Sequence, residues 1–130
     1  MSLKTGIKGM QTEIVTNEKT AKVLGSGGLE IYGTPSMIAL MEGTALKSVQ
    51  PFLEPGTTTV GISLNIKHVS ATPVGLTVTS ESELIEIDRK RLVFRVIATD
   101  DKGEIGSGIH ERFIVEIDRF LKNAFSKLSA

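Results

Sequence analysis

From Gly56 onward, apolar residues return at every second position, and this period of two predicts four strands in succession. Val60, Ile62, Leu64 and Ile66 mark one face of the first. The second runs from about Leu76 to Ile87, and Asp88-Arg89-Lys90 turns it into a third carrying Leu92, Phe94, Val96 and Ala98. Asp100-Asp101-Lys102-Gly103 forms the next turn, and Ile105, Ile109, Phe113, Val115 and Ile117 punctuate the last strand. Short turns between neighbours make the sheet antiparallel.

Upstream of Gly56 the period changes. Thr34-Pro35 predicts a helix start, because threonine accepts orphan N–H bonds at an N-cap and proline fits the first turn without losing a needed donor. Pro51 and Pro55-Gly56 end it, leaving one helix from about Pro35 to Gln50. Met37, Ile38, Ala39, Leu40 and Met41 make it apolar almost all round, the mark of a core helix wrapped by a sheet. Thr12 to Asn17 suits a short first strand. Gly25, Ser26, Gly27, Gly28 and Gly33 make residues 19–33 a flexible lid segment. Residues 118–130 form a terminal helix or tail, helical from about Arg119 to Leu128. The whole pattern, one strand, a buried helix and four antiparallel strands, is α+β and predicts a single domain over residues 1–130.

Composition narrows the partners. Lys plus Arg and Asp plus Glu number 15 each, so no net field gathers a nucleic acid. Cysteine is absent, which removes thiol nucleophiles and Cys-type zinc sites. No apolar run approaches the roughly 20 residues that cross a bilayer, and the opening segment is too polar for a signal peptide. The expectation is a cytoplasmic protein without a membrane or nucleic-acid partner.

Glu42 is the most informative position for chemistry. Helical spacing sets it with Ile38, Ala45, Leu46 and Val49 on the buried stripe, where an unpartnered carboxylate costs several kcal/mol. It is therefore either a structural hydrogen-bonding group or a functional acid beside a cleft. His68 continues the alternation of Val60, Ile62, Leu64 and Ile66 and so faces the helix, either as a satisfied core histidine or as the base that partners Glu42. Thr34 lies eight residues before Glu42, about 12 Å along the helix, and reads first as an N-cap. Gly61 interrupts a strand, as at a bulge or a close backbone approach to a ligand. Arg89, Lys90 and Arg91 suit a solvated turn. His110 and Arg112 share the face opposite Ile109 and Phe113, which predicts an exposed charged face. With two histidines far apart and no H-E-x-x-H, no metal site is predicted. Neither a G-x-S-x-G elbow nor a phosphate loop is present, so any hydrolysis falls to the carboxylate.

These residues also carry a family resemblance. Thr34 with Met37 and Leu40-Met41-Glu42, then Leu53-Glu54-Pro55-Gly56, then His68 with Ala71-Thr72-Pro73 and Gly75-Leu76-Thr77-Val78-Thr79 resemble the hotdog-fold thioesterases of the fluoroacetyl-CoA thioesterase type. Glu104-Ile105-Gly106-Ser107-Gly108 and His110-Glu111-Arg112 extend the likeness, which covers roughly residues 25 to 117. The resemblance implies a hotdog fold, a homodimer with active sites between subunits, and hydrolysis of an acyl-CoA to free acid and CoA. It places the catalytic threonine, glutamate and histidine on Thr34, Glu42 and His68, and substrate-binding positions on Gly61 and Arg112. Coenzyme A would be part of the substrate, and no cofactor is implied. The chain departs from the family pattern in the lid, where Gly25 and Gly28 replace two phenylalanines that crowd the acyl group, so fluoro-selectivity is not implied. An acyl-thioester hydratase or dehydratase, or a non-catalytic acyl-CoA binding module, are the alternatives on the same fold.

Overall fold

A computed structural model describes residues 2–129. Five antiparallel strands, β1 (Lys8–Ile14), β2 (Thr57–His68), β3 (Thr77–Asp88), β4 (Arg91–Asp100) and β5 (Gly103–Glu116), form one sheet in the order β1-β3-β4-β5-β2. Three helices accompany them: α1 (Ala21–Leu24), α2 (Thr34–Val49) and α3 (Ile117–Phe125). The β3–β4 and β4–β5 hairpins follow from their turns. Arg89 adopts a left-handed φ of 58° and Gly103 a φ of 134°, each reversing the chain within two residues.

The long helix α2 lies across one face of the sheet, packed mainly on β1 and β3 and less on β2 and β4. Met37, Leu40, Met41, Ala45 and Val49 bury into a core completed by Val78, Leu84, Leu92, Phe94, Val96 and Ile105. Within one chain the helix is covered on one side: Ala39 is exposed and Ile38, Glu42 and Leu46 are half-buried. Glu42 thus sits at the margin of the buried stripe. Where α2 crosses β5 only glycine fits, because a Cβ at Gly106 would lie 2.7 Å from the Met37 sulfur.

The first strand runs over Lys8–Ile14 rather than Thr12 to Asn17, and three further features refine the sequence prediction. Gly33, not Thr34, is the N-cap of α2; Thr34 is the first helical residue and its hydroxyl is directed elsewhere. The glycine-rich segment is folded, with a turn of helix at α1, a left-handed Gly25 behind it, and a return path bonded back through Lys22 N–H to Leu29 C=O at 3.0 Å and Ala21 N–H to Ile31 C=O at 2.9 Å. Third, β2 carries a bulge, one of the two readings Gly61 admits, and it breaks the even alternation. Gly61 pairs with Arg112 and Ser63 with Glu111, leaving Ile62 as the extra residue. Side chains alternate across a strand, so one extra residue exchanges the faces. Thr59 and Gly61 point inward before the bulge, and Leu64, Ile66 and His68 after it, while Val60 pairs with the outward Phe113. The even alternation read from Val60 to His68 therefore holds only beyond Ile62.

Candidate active site

Thr34 and His68 meet. The first turn of α2 brings Thr34 Oγ1 to 2.7 Å from His68 Nδ1 at the inward-facing end of β2. Sequence spacing alone left Thr34 as a cap; the folded chain instead spends its hydroxyl on the imidazole. The other ring nitrogen, Nε2, is buried and has no hydrogen-bond partner among the described residues. Burial holds the His68 imidazole below its ordinary pKa, opposed by the nearby Ser70 backbone, so the ring is neutral at pH 7 and able to take a proton. A shallow cavity of about 230 Å³ opens beside it, lined by Ile31, His68, Val69, Ser70 and Ala71.

Glu42 does not join this pair within one chain. Two turns farther along α2, its carboxylate lies over Gly61, close enough that a Cβ there would be 2.7 Å from Oε2. The same point is 3.3 Å from His110 Cε1 and 3.5 Å from Arg112 Nη1, so Gly61 is the small residue around which three polar side chains converge. His110 and Arg112 contradict the exposed charged face read from β5: His110 is fully buried and Arg112 is 6% exposed. Their cross-strand partners explain this, since His110 pairs with Phe94 and Arg112 with Leu92, both core residues on the face α2 covers. Alternation told the two faces of β5 apart, but only the helix decides which of them is inside.

The buried guanidinium is bound on three sides. Nε donates to Thr59 Oγ1 at 2.7 Å, Nη2 to the Thr59 carbonyl at 2.8 Å, and Nη1 to His110 Nε2 at 3.1 Å. Burial holds the Arg112 guanidinium below its ordinary pKa, and the nearby Glu42 carboxylate opposes that shift. Among the described residues no three His, Asp or Glu side chains gather as a metal-ligand set.

A model of the fluoroacetyl-CoA-specific thioesterase family matches residues 15–118. The chain belongs to that family. It is 42% identical over 91 residues to the fluoroacetyl-CoA thioesterase of Streptantibioticus cattleyicolor, a match spanning 70% of this chain and 66% of that enzyme, just under two thirds of its length. A solved variant of a fluoroacetyl-CoA-specific thioesterase, in complex with fluoroacetate and CoA, superposes with a TM-score of 0.86 at 35% identity, covering 91% of this chain and 99% of that one. A hot-dog-like protein from Thermanaerovibrio acidaminovorans shares the fold at 21% identity, with a TM-score of 0.88 over 97% and 93% of the two chains. The hotdog architecture expected from the resemblance is thereby established.

The segment before α2 has its own anchor. Its return path is pinned by Tyr32, whose buried hydroxyl donates to Glu13 Oε2 at 2.5 Å, with Lys19 3.4 Å from the same carboxylate. Burial, together with Glu13, pushes the Tyr32 phenol far above its ordinary range, so it stays a donor. Sequence reasoning passed over Tyr32 and Glu13. The one available signal was a lone tyrosine beside Gly33 at the start of the helix. Gly25 and Gly28 are exposed, and a Cβ at either meets nothing within 4 Å, so the space that larger side chains would fill is open.

Proposed function

We propose that this protein is an acyl-CoA thioesterase, a hydrolase that releases free acid and CoA, and that it works as a homodimer in which Thr34 and His68 of one protomer act with Glu42 of the other. The observation that carries this reading is the Thr34–His68 pair, whose Nε2 has no partner among the described residues, set apart from a Glu42 that lies over Gly61. CoA bound to a relative supports the substrate class.

A second copy would close the gap between the two halves. β2 is an edge strand of 12 residues whose free side leaves Ile62 50% and Leu64 43% exposed, a surface that invites pairing. Side chains directly opposite in an antiparallel pair must share a face, which admits few registers for β2 against its own copy. A dyad through Asn65 sets Leu64 opposite Ile66 and Ser63 opposite Lys67, each pair on a common face. The Ile62 bulge then brings Gly61 opposite His68 of the partner subunit. Glu42, already lying over Gly61, arrives at that imidazole. Two such sites form per dimer, and each is incomplete without the other subunit.

In this arrangement a substrate thioester lies between Glu42 and the Thr34–His68 pair, with the Gly61 N–H facing its carbonyl oxygen and Arg112 supplying positive charge at the floor. Glu42 either takes a proton from water, whose hydroxide adds to the carbonyl carbon, or attacks that carbon itself to give a mixed anhydride that water then opens. On both routes the C–S bond breaks, the sulfur leaves with a proton relayed through His68, and the acid and CoA-SH are released. Each protonation is balanced without a cofactor. The glycine lid admits a broader acyl range than the aromatic one of the family. Among the described residues no helix is long and apolar enough to span a membrane; we assign the protein to the cytoplasm on the strength of its proposed acyl-CoA chemistry.

The test is release of CoA thiol from a panel of acyl-CoAs, read with a thiol reagent, by the wild type and by Glu42→Gln. Thiol release that the substitution removes from a folded protein is the expected result. Loss of an alkene at constant thioester would favour a hydratase, and binding without either would favour a carrier.

A further inference from the structure

His110 is fully buried, sits outside the Thr34–His68 pair, and has both ring nitrogens engaged. Its Nδ1 lies 2.9 Å from the Ser63 carbonyl, a group that can only accept, so Nδ1 carries a proton. Its Nε2 lies 3.1 Å from Arg112 Nη1, a group that can only donate, so Nε2 presents a lone pair. The two neighbours together dictate one neutral tautomer. No other protonation state satisfies both, because an imidazolium would turn an N–H against the guanidinium.

Thr59 holds one edge of that guanidinium through Nε and Nη2. His110 holds the remaining corner at Nη1, the nitrogen closest to Gly61. We infer that His110 is a positioning residue: as the neutral Nδ1–H tautomer, tied to the strand bulge through Ser63, it aims Arg112 at the space shared by Glu42 and Gly61. The inference rests on the proposed thioesterase site and assigns within it a residue that touches neither substrate nor Glu42 directly through hydrogen bonds. Ser63 is the first residue paired after the bulge, so one histidine ties the backbone turn that orients Gly61 to the charge that faces Glu42. Burial against Phe94, whose ring centroid is 6.3 Å away, keeps the imidazole from rotating out of this role.

Two amides divide the histidine between them. The Asn side chain reaches the position of Nδ1 and can donate to Ser63 but leaves Arg112 without its acceptor; Gln reaches the position of Nε2 and can accept from Nη1. Steady-state kinetics of His110→Gln, His110→Asn and Glu42→Gln on the best acyl-CoA, with the Tm of each, tests the assignment. His110→Asn is expected to lose about tenfold or more in kcat at little change in KM, as a displaced charge does, while His110→Gln recovers most of it at a comparable Tm. A nitrogen-15 spectrum of the imidazole in the wild type should show the Nδ1–H tautomer. Equal kcat for the two amides, or an Nε2–H or doubly protonated ring at pH 7, overturns the role of His110 while an inactive Glu42→Gln leaves the thioesterase site standing. Full turnover by Glu42→Gln overturns both.

Discussion

Adding a single methyl group at Gly61 should separate the position of Glu42 from the stability of the fold. A Cβ there would stand 2.7 Å from Glu42 Oε2, 3.3 Å from His110 Cε1 and 3.5 Å from Arg112 Nη1. Ordinary contact between a methyl carbon and an oxygen is about 3.4 Å, so the carboxylate must retreat by roughly 0.7 Å, whereas the ring and the guanidinium barely move. The oxygen is the free end of a flexible side chain, and Gly61 is not in the left-handed region, so the retreat is cheap for folding. Replacing glycine by alanine also removes freedom from the unfolded chain, worth about 0.4–1 kcal/mol in favour of the fold. Chemistry has no such tolerance: a misplacement near 1 Å costs on the order of a hundredfold in rate. We therefore expect Gly61→Ala to lose about 10- to 100-fold in kcat/KM, or about 1.4–2.7 kcal/mol of transition-state stabilisation, with Tm within a few degrees of the wild type. Thiol release across a substrate range and a thermal melt measure the two effects. Turnover within twofold of wild type, in a protein that melts normally, would refute the idea that Glu42 acts from its place over Gly61.

Other predictions follow from the same geometry. Asn65→Cys, in a chain with no other cysteine, should give a disulfide-linked dimer under mild oxidation, because residues that face themselves across an antiparallel dyad bring their Cα atoms to about 4.5–5.5 Å; a monomer mass by light scattering and on a non-reducing gel would contradict it. Stability should fall as pH drops below about 6.5, before the carboxylates titrate near 4. Burial lowers the folded-state pKa of both His68 and His110, so the unfolded chain binds their protons first, and His110→Gln should flatten the fall of Tm between pH 7 and 5. An unchanged profile would contradict this. Fluoroacetyl-CoA should be favoured over acetyl-CoA only weakly, since Gly28 leaves open the space an aromatic would fill; Gly28→Phe should fold normally and raise that preference. A strong preference in the wild type would show that selectivity does not need the aromatic lid.

The sequence by itself determined the long helix and the four strands that follow it. Period two and period 3.6 are local properties, readable wherever alternation or helical spacing persists, and Thr34-Pro35, Asp88-Arg89-Lys90 and Lys102-Gly103 mark their ends through preferences that act within a few residues. Glu42 and His68 stood out as candidates from helical spacing and strand alternation, and Thr34 only through the family resemblance. Their arrangement was not legible. Gly61 marked a bulge as one of two readings, but Ile62 still read as one more inward apolar residue, and only the ladder to β5 locates the extra residue, because a bulge is defined by a partner strand some fifty residues away. Alternation placed His110 and Arg112 on one face but could not say which face α2 would cover, so a buried hydrogen-bonded pair looked like solvated charge. The union of Thr34 with His68, and the separation of both from Glu42, likewise depend on where α2 crosses the end of β2. Local patterning encodes which way a residue points relative to its neighbours in sequence; what it points at is set by the packing of distant segments, and that is decided only in the folded chain.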